Sequence, residues 1–129
     1  MFDRPEIMQL AQELAGHAAR RQERVAENVA NADTPGYRAR DLEDFQSYYA
    51  ARGEAHMHAT RAGHVPTASF GTPAGAVIDT RTEPSPNGNS VSLEAEMVRQ
   101  AETKHQHDMA LAVYKSSLDL MRAAIGRGR

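Results

Sequence analysis

The chain has 129 residues, a formal net charge of −2 and no cysteine, so disulfides, thiolate metal sites and cysteine nucleophiles are excluded. The near-neutral charge gives no overall attraction to nucleic acid or to an anionic membrane. Hydrophobic residues make up 40% of the chain, but the aromatic ones are only three Phe and four Tyr, and mean hydropathy is −0.62. Such a chain is marginal alone and gains stability by sharing apolar surface with a partner.

The sequence predicts no membrane-spanning helix, because no run of about 18 apolar residues occurs. The first ten residues, MFDRPEIMQL, lack a basic segment followed by an apolar one, so no cleaved secretory signal is expected. If the protein leaves the cytoplasm, it must use a route that needs no such signal.

Residues 1–32 form the first predicted unit, a long N-terminal helix. No proline lies between Pro5 and Asn31, and Asp3 is a suitable N-cap ahead of a proline in the first turn. Apolar residues recur at steps of three and four, which is the periodicity of a helix with one apolar face. Most members of this stripe are small: Ile7, Met8, Ala11, Leu14, Ala15, Ala18, Val25, Ala26 and Val29.

Residues 33–90 form a predicted irregular and partly flexible linker. They hold five of the six prolines and six of the nine glycines, and their hydrophobic residues are few and scattered. A short helix over 42–51 and a short strand over 76–80 are the only regular elements that the pattern favours. The remainder is costly to order without a partner, so we expect it to be flexible or ordered by a neighbour.

Residues 91–129 contain the second long helix. Ser92 is a good N-cap, Glu94 and Glu96 suit the first turn, and Gly126 is well placed to end the helix. Alternating steps of four and three predict a coiled-coil seam. Its positions are mostly apolar, with a polar break in the middle: Leu93, Met97, Gln100, Lys104, His107, Leu111, Tyr114, Leu118, Met121 and Ile125.

The predicted fold class is therefore mainly α, with the two terminal helices packed as an antiparallel coiled-coil-like hairpin. The two helices and the linker together form one structural unit. A helix of roughly 50 Å needs a partner of similar length, and the N-terminal helix is the only candidate within the chain. We expect Ile7, Leu14, Val25 and Val29 to face the C-terminal seam. The outer faces of both helices remain available to other subunits.

The densest motif runs from Asn28 to Asp41, with the sequence NVANADTPGYRARD. It is typical of a helix terminator, because the residue before Pro35 is disfavoured in the α region and Pro-Gly favours a turn. The candidate assembly residues here shape the exit from the first helix and a neighbouring contact: Asn31, Asp33, Thr34, Pro35, Gly36 and Tyr37.

Catalytic, metal and cofactor sites are not predicted. His105 and His107 point about 200° apart on a helix and cannot chelate one ion together. His56 and His58 in the linker could, with His64 nearby, but no carboxylate framework accompanies them. The chain has no phosphate-binding glycine loop, nucleophile elbow or zinc-protease motif, and no small-molecule substrate is expected.

The string from Asn28 to Asp41 resembles the N-terminal signature of bacterial flagellar rod and hook proteins, and within them a member of the proximal rod. A second string, NGNSVSLEAEM from Asn87 to Met97, resembles the segment that opens the C-terminal helix of that family. The usual family pattern there is Asp-Gly-Asn-Thr-Val-Asp, so Asn87, Ser90 and Ser92 are conservative departures. The resemblance covers roughly 1–45 and 85–126.

The resemblance implies a structural subunit of the torque-transmitting proximal rod, which self-assembles through its terminal helices. The implied partners are copies of the chain, other flagellar rod proteins, and proteins at the junction with the basal-body rings and the export gate. The implied location is the periplasm-spanning rod of the flagellar basal body, reached by type III export. A cytoplasmic coiled-coil adaptor or export-associated helical protein is the alternative, and a small metal-binding or enzymatic domain is a third.

Overall fold

The computed structural model describes residues 4–54, 75–80 and 82–126. In chain order the elements are α1 (Arg4–Ala30), β1 (Arg40–Leu42), α2 (Phe45–Glu54), β2 (Val77–Asp79) and α3 (Leu93–Gly126). Two long helices of 27 and 34 residues pack against each other, which confirms the mainly helical class with long terminal helices. Residues 55–74 and 81 of the predicted linker, and 127–129 of the last predicted unit, lie outside the described residues.

Local sequence explains where α3 begins. The Oγ of Ser92 accepts a hydrogen bond from the N–H of Ala95 at 3.4 Å, and the carbonyl of Ser92 accepts one from Glu96 at 2.9 Å. This is the arrangement of an N-cap, in which a hydroxyl satisfies a backbone donor that has no partner within the helix. Glu94 and Glu96 follow in the first turn, where the helix dipole favours negative charge.

The core between the two helices is built from small side chains. On α1 the buried residues facing this core recur every seven positions, at Ala11, Ala18 and Val25. On α3 the buried residues also recur every seven positions, at Glu96, Thr103 and Ala110. Small residues on both helices permit a close approach of the backbones, so the core is narrow and contains few large hydrophobic groups.

The strip of α3 that meets α1 coincides with the predicted seam only in part, because His107, Tyr114, Leu118 and Met121 are half-buried whereas other seam positions are exposed. Each buried residue comes immediately before a predicted seam position: 96 before Met97, 103 before Lys104, and 110 before Leu111. The predicted positions are exposed at Leu93, Leu111, Met97 (68%) and Ile125 (79%). The sequence pattern selected the larger hydrophobic groups, whereas the Ala-rich face of α1 accommodates smaller ones.

The two short strands lie beside this helix pair. β1 and β2 are antiparallel, with Arg40 opposite Asp79 and Leu42 opposite Val77. The pairing continues past Leu42, because the N–H of Glu43 donates to the carbonyl of Ala76 at 2.9 Å. Leu42 belongs to β1, so α2 begins at Phe45 and not at position 42. Within the described ranges, no helix is both long and apolar enough to cross a membrane.

Candidate assembly site

The two motifs singled out in the sequence lie against each other. The N–H of Gly36 donates to the carbonyl of Asn87 at 3.1 Å, and the N–H of Ser90 donates to the carbonyl of Tyr37 at 3.0 Å. The Oγ of Ser90 accepts a third bond from the N–H of Ala39 at 2.8 Å. We call the joined motifs, residues 28–41 and 87–92, the clasp. It ties the end of α1 to the beginning of α3.

Asn89 is the central residue of the clasp. Its buried Nδ2 lies 2.9 Å from the carbonyl oxygen of Asn31, 2.8 Å from that of Ala32 and 2.8 Å from that of Thr34. Its Oδ1 accepts a bond from the N–H of Val91 at 2.7 Å. One side chain from the second motif thus holds together the carbonyl groups of the turns that follow α1.

Asn28 has the corresponding role on the other side of the clasp. From the last turn of α1, its Nδ2 donates to the carbonyl of Arg40 at 2.8 Å, and its Oδ1 accepts from the N–H of Arg40 at 3.1 Å. The hydroxyl of Tyr37 also lies 3.3 Å from that Oδ1. Because the amide pairs with both backbone groups of one residue, it fixes β1 against α1.

The connection between Asn28 and β1 is a series of tight turns. The N–H of Thr34 donates to the carbonyl of Asn31 at 3.0 Å, and the N–H of Tyr37 donates to the carbonyl of Thr34 at 3.2 Å. Gly36 has φ 73° and Gly88 has φ 82°, in the left-handed region that favours glycine. A Cβ on Gly88 would lie 3.3 Å from the Cα of Gly36, so the two turns also touch closely.

A buried group of charges links the clasp to both helices. Arg21 of α1 donates from Nε and Nη2 to the two carboxylate oxygens of Asp41, at 2.9 and 2.8 Å. Arg99 of α3 lies 3.8 Å from the same carboxylate and also pairs with Glu96, which is fully buried. The two cations and two anions neutralise each other, and the bidentate geometry is the strongest form of such a pair.

Opposing influences set the pKa of Asp41. Burial by itself would raise it, but the hydrogen bonds and charge of Arg21 lower it, as do the N–H of Leu42 and the charge of Arg99. The net effect is a pKa below the ordinary value of 3.8. Arg21 responds in the opposite direction, because its hydrogen bonds to Asp41 raise its pKa. Both groups are therefore charged at neutral pH.

The assembly residues predicted from the sequence fall into three groups: those of the clasp turns, those at least partly buried along the helices, and those exposed in the single chain. The turn residues Asp33, Thr34, Pro35 and Gly36 are exposed, whereas Asn31 and Tyr37 are half-buried in the clasp. Ile7, Leu14, Tyr114, Leu118 and Met121 are half-buried, and Val25 is buried between the helices. The remainder are exposed in the single chain: Val29, Leu93, Met97, Leu111 and Ile125.

Sequence reasoning missed the polar residues that hold the clasp together. Asn28 and Asp41 are the first and last residues of the first motif, and Asn89 and Ser90 lie inside the second. Their position within these two motifs is the feature of the sequence that could have identified them. Arg21, Glu96 and Arg99 have helical spacing typical of solvent-facing residues, and nothing local distinguishes them. The linker histidines His56, His58 and His64 lie outside the described residues.

Comparison with known proteins gives a consistent result. A family model described as "Flagella basal body rod protein" matches residues 16–38. The flagellar basal body rod protein FlgB of Salmonella typhimurium is 33% identical over 138 residues, covering 99% of this chain and 99% of that protein. FlgB of Escherichia coli is 32% identical, covering 94% of each chain, and FlgB of Agrobacterium fabrum is 31% identical, covering 95% of this chain and 94% of the relative. The chain belongs to the FlgB family of flagellar basal body rod proteins.

Proposed function

We propose that this chain is a structural subunit of the flagellar basal body rod, in its proximal part, and that it assembles through its terminal helices. The work is mechanical: subunits stack with copies of themselves and with other rod proteins and transmit torque. Contacts with proteins at the basal-body rings and at the export gate are part of the same proposal. So are a position in the periplasm-spanning rod and export without a cleaved signal.

The observation that carries the proposal is the apolar surface of α3. Leu93, Met97, Leu111 and Ile125 are all about half exposed or more, and they recur at the spacing of a coiled-coil seam. Within the chain, the fully buried residues of α3 are Glu96, Thr103 and Ala110, and these four hydrophobic side chains stay exposed. Exposed hydrophobic groups along one helix mark interaction surfaces, and their heptad spacing, interrupted at Lys104, suits a long helix of a neighbouring molecule.

The antiparallel hairpin is the second part of the proposal. Asn89, just before α3, contacts the residues that follow α1. Further from the clasp, Ala18 and Gln22 of α1 line a shared groove of about 400 Å³ with Thr103 and His107 of α3. Residues earlier in α1 thus lie beside residues later in α3. This orientation supports a two-helix unit whose open side presents the heptad row of α3.

A deletion and complementation experiment tests the function. Removing the gene for this chain should abolish swimming and leave the hook and filament unassembled, and the wild-type gene should restore both. Recovery of the chain in the cytosol, and its absence from purified basal bodies, would favour the adaptor instead. Normal swimming after a clean deletion would contradict the rod proposal.

A matched pair of variants tests the surface. Leu111→Asp places a charge in the heptad row, and it should prevent restoration of swimming without lowering the melting temperature of the purified chain. Leu120→Asp is the control, because Leu120 is also exposed (59%) but lies about half a turn away around the helix. Equal loss of swimming in both variants, or in neither, would mean that the heptad row is not the assembly surface.

A further inference from the structure

His17 lies where the segment between β1 and α2 meets α1. It is 1% exposed, which makes it one of the most buried side chains that the structure describes. Its Nε2 lies 2.9 Å from the carbonyl oxygen of Glu43. The rings of Phe45 and Tyr48 surround it, with ring centres 5.5 and 5.6 Å away. Gly75 closes the site, because a Cβ there would lie 3.6 Å from Nε2.

The hydrogen bonding of His17 requires one neutral form of the ring. A carbonyl oxygen only accepts, so Nε2 must carry the proton and donate to Glu43. Nδ1 then holds a lone pair, and it is buried with no hydrogen-bond partner among the residues that the structure describes. A protonated ring would have a second N–H at Nδ1 with no acceptor, which is a costly arrangement in a buried site.

The surrounding charges also disfavour protonation. The charged and titratable groups on the elements packed around His17 include Glu13, Arg20 and Arg21 on α1, Asp41 on β1, Glu43 and Asp44 before α2, and Tyr48 on α2. Burial has the largest effect and lowers the pKa of His17, the bond to Glu43 raises it, Arg20 and Arg21 lower it, and Asp44 raises it. The net result is a pKa below the ordinary value of 6.5.

We propose that His17 is a pH-sensitive latch: its neutral ring holds the segment Glu43–Tyr48 on α1, and its protonation releases that segment while the pair of long helices stays together. The latch is separate from the proposed rod function. It depends on the contacts of His17 within one chain. The clasp is unaffected, since its bonds involve Asn28, Ser90 and Asn89 and no group that titrates near neutral pH.

The sign of the pH dependence follows from linkage. A histidine whose pKa is lowered in the docked state stabilises docking fully above 6.5, the value of the free side chain. This contribution is lost as the pH falls from 6.5 through the docked pKa. Between the two values, the equilibrium constant for release rises by at most about tenfold for each pH unit, because one proton is taken up.

Hydrogen exchange on the full chain tests the release. Between pH 7.5 and pH 5.5, protection factors corrected for intrinsic exchange should fall across residues 43–48, by up to about tenfold per pH unit in the window. Residues 96–110 of α3 should keep their protection. A parallel loss in both regions, or no loss in either, would overturn the proposal of a local latch.

Two variants identify the group responsible. His17→Gln keeps an amide that can donate to the carbonyl of Glu43 but does not titrate, so its protection over 43–48 should be the same at both pH values. His105→Gln is the matched control, because His105 is exposed on α3, and it should retain the wild-type pH dependence. Persistence of the pH dependence in His17→Gln would assign it to another group.

A titration of the wild-type chain keeps the proposal testable if His17→Gln fails to fold. The ring resonances of the six histidines can be followed by NMR from pH 8 to pH 5. One of them should have a midpoint below 6.5, and its shift should coincide with the exchange change over residues 43–48. Six midpoints at or above 6.5 would contradict the latch.

Discussion

The clasp and the distal half of α3 differ in the side chains that they bury. At the clasp, the buried side chains are polar or charged: Asn28, Asp41, Asn89, Ser90 and Glu96. Along the distal half of α3, large hydrophobic side chains are exposed instead, at Leu111, Val113, Leu120 and Ile125. Proteins usually bury apolar side chains and expose polar ones. The clasp departs from this rule through its buried polar groups, and distal α3 departs from it through its exposed hydrophobic groups.

The difference indicates what each end does. Buried polar groups need partners with defined geometry, so the clasp fixes the rotation and register of α3 relative to α1. Exposed hydrophobic groups gain free energy from any contact that removes them from water, whatever its geometry. The single chain does not bury those of distal α3. The clasp is complete within one molecule, whereas distal α3 fits the proposed contact with a neighbouring subunit.

The largest effect should come from removing the charge at the centre of the clasp. Asp41→Ala leaves Arg21 and Arg99 in a mostly buried site without their shared carboxylate. Removing one partner of such a pair should destabilise the chain by about 3 kcal/mol, measured by urea denaturation. Asp119→Ala on distal α3 is the control, because its pair with Arg122 is exposed and should contribute below about 1 kcal/mol.

The pH dependence of the Asp41 contribution has a defined sign. Since the folded pKa of Asp41 lies below 3.8, its stabilisation is fully present above that value and is lost as the pH falls through the folded pKa. The wild-type chain should therefore lose stability below about pH 4, separately from the local release below pH 6.5 that we propose for His17. Asp41→Ala should lack the acid component, and an unchanged acid profile would mean that Asp41 is not paired in solution.

Asn89→Ala should have the next largest effect. It leaves the carbonyl groups of Asn31, Ala32 and Thr34 without their shared donor. We expect a loss of about 2–3 kcal/mol in the free energy of unfolding, because several hydrogen bonds of one buried side chain are removed together. Asn87→Ala removes one bond at an exposed position, to the N–H of Asn89, and should cost about 1 kcal/mol. Equal effects would mean that Asn89 is not the central residue of the clasp.

Much of the helical framework was predictable from sequence because its signals are local. The spacing of apolar residues, the N-cap at Ser92 and the terminator around Pro35 all act within a few positions. The clasp was not predictable in the same way. Its bonds join residues far apart in the chain, such as Asn89 and Asn31, and periodicity contains no information about such pairs.

The rotation of α3 was predicted less well for a physical reason. A heptad search favours large hydrophobic residues, and α3 has these on the strip through Met97 and Leu111. The observed strip through Thr103 and Ala110 is held by the clasp, where Arg99 of α3 reaches Asp41. Polar contacts at one end therefore help to determine which side of the helix faces α1, and Met97 and Leu111 remain exposed.

The two glycines of the clasp test how closely its turns approach. Gly88→Ala should destabilise the chain by about 1–2 kcal/mol, from the left-handed φ and from contact with Gly36. Gly36→Ala has a similar φ but open space around the added methyl group, so its effect should be about 1 kcal/mol. Equal values from thermal unfolding would show that backbone conformation, and not the approach of the two turns, accounts for both.

The smallest effect should distinguish the two strips of α3 directly. Leu111→Ala should change the stability of the single chain by less than about 0.5 kcal/mol, because Leu111 is 49% exposed. Its neighbour Ala110 is buried against α1, so Ala110→Leu should overpack the core and destabilise by about 1–3 kcal/mol. Both are measured by urea denaturation at low protein concentration. If Leu111→Ala is the more destabilising change, α1 covers the heptad row in solution, and that row is then closed to a neighbouring subunit.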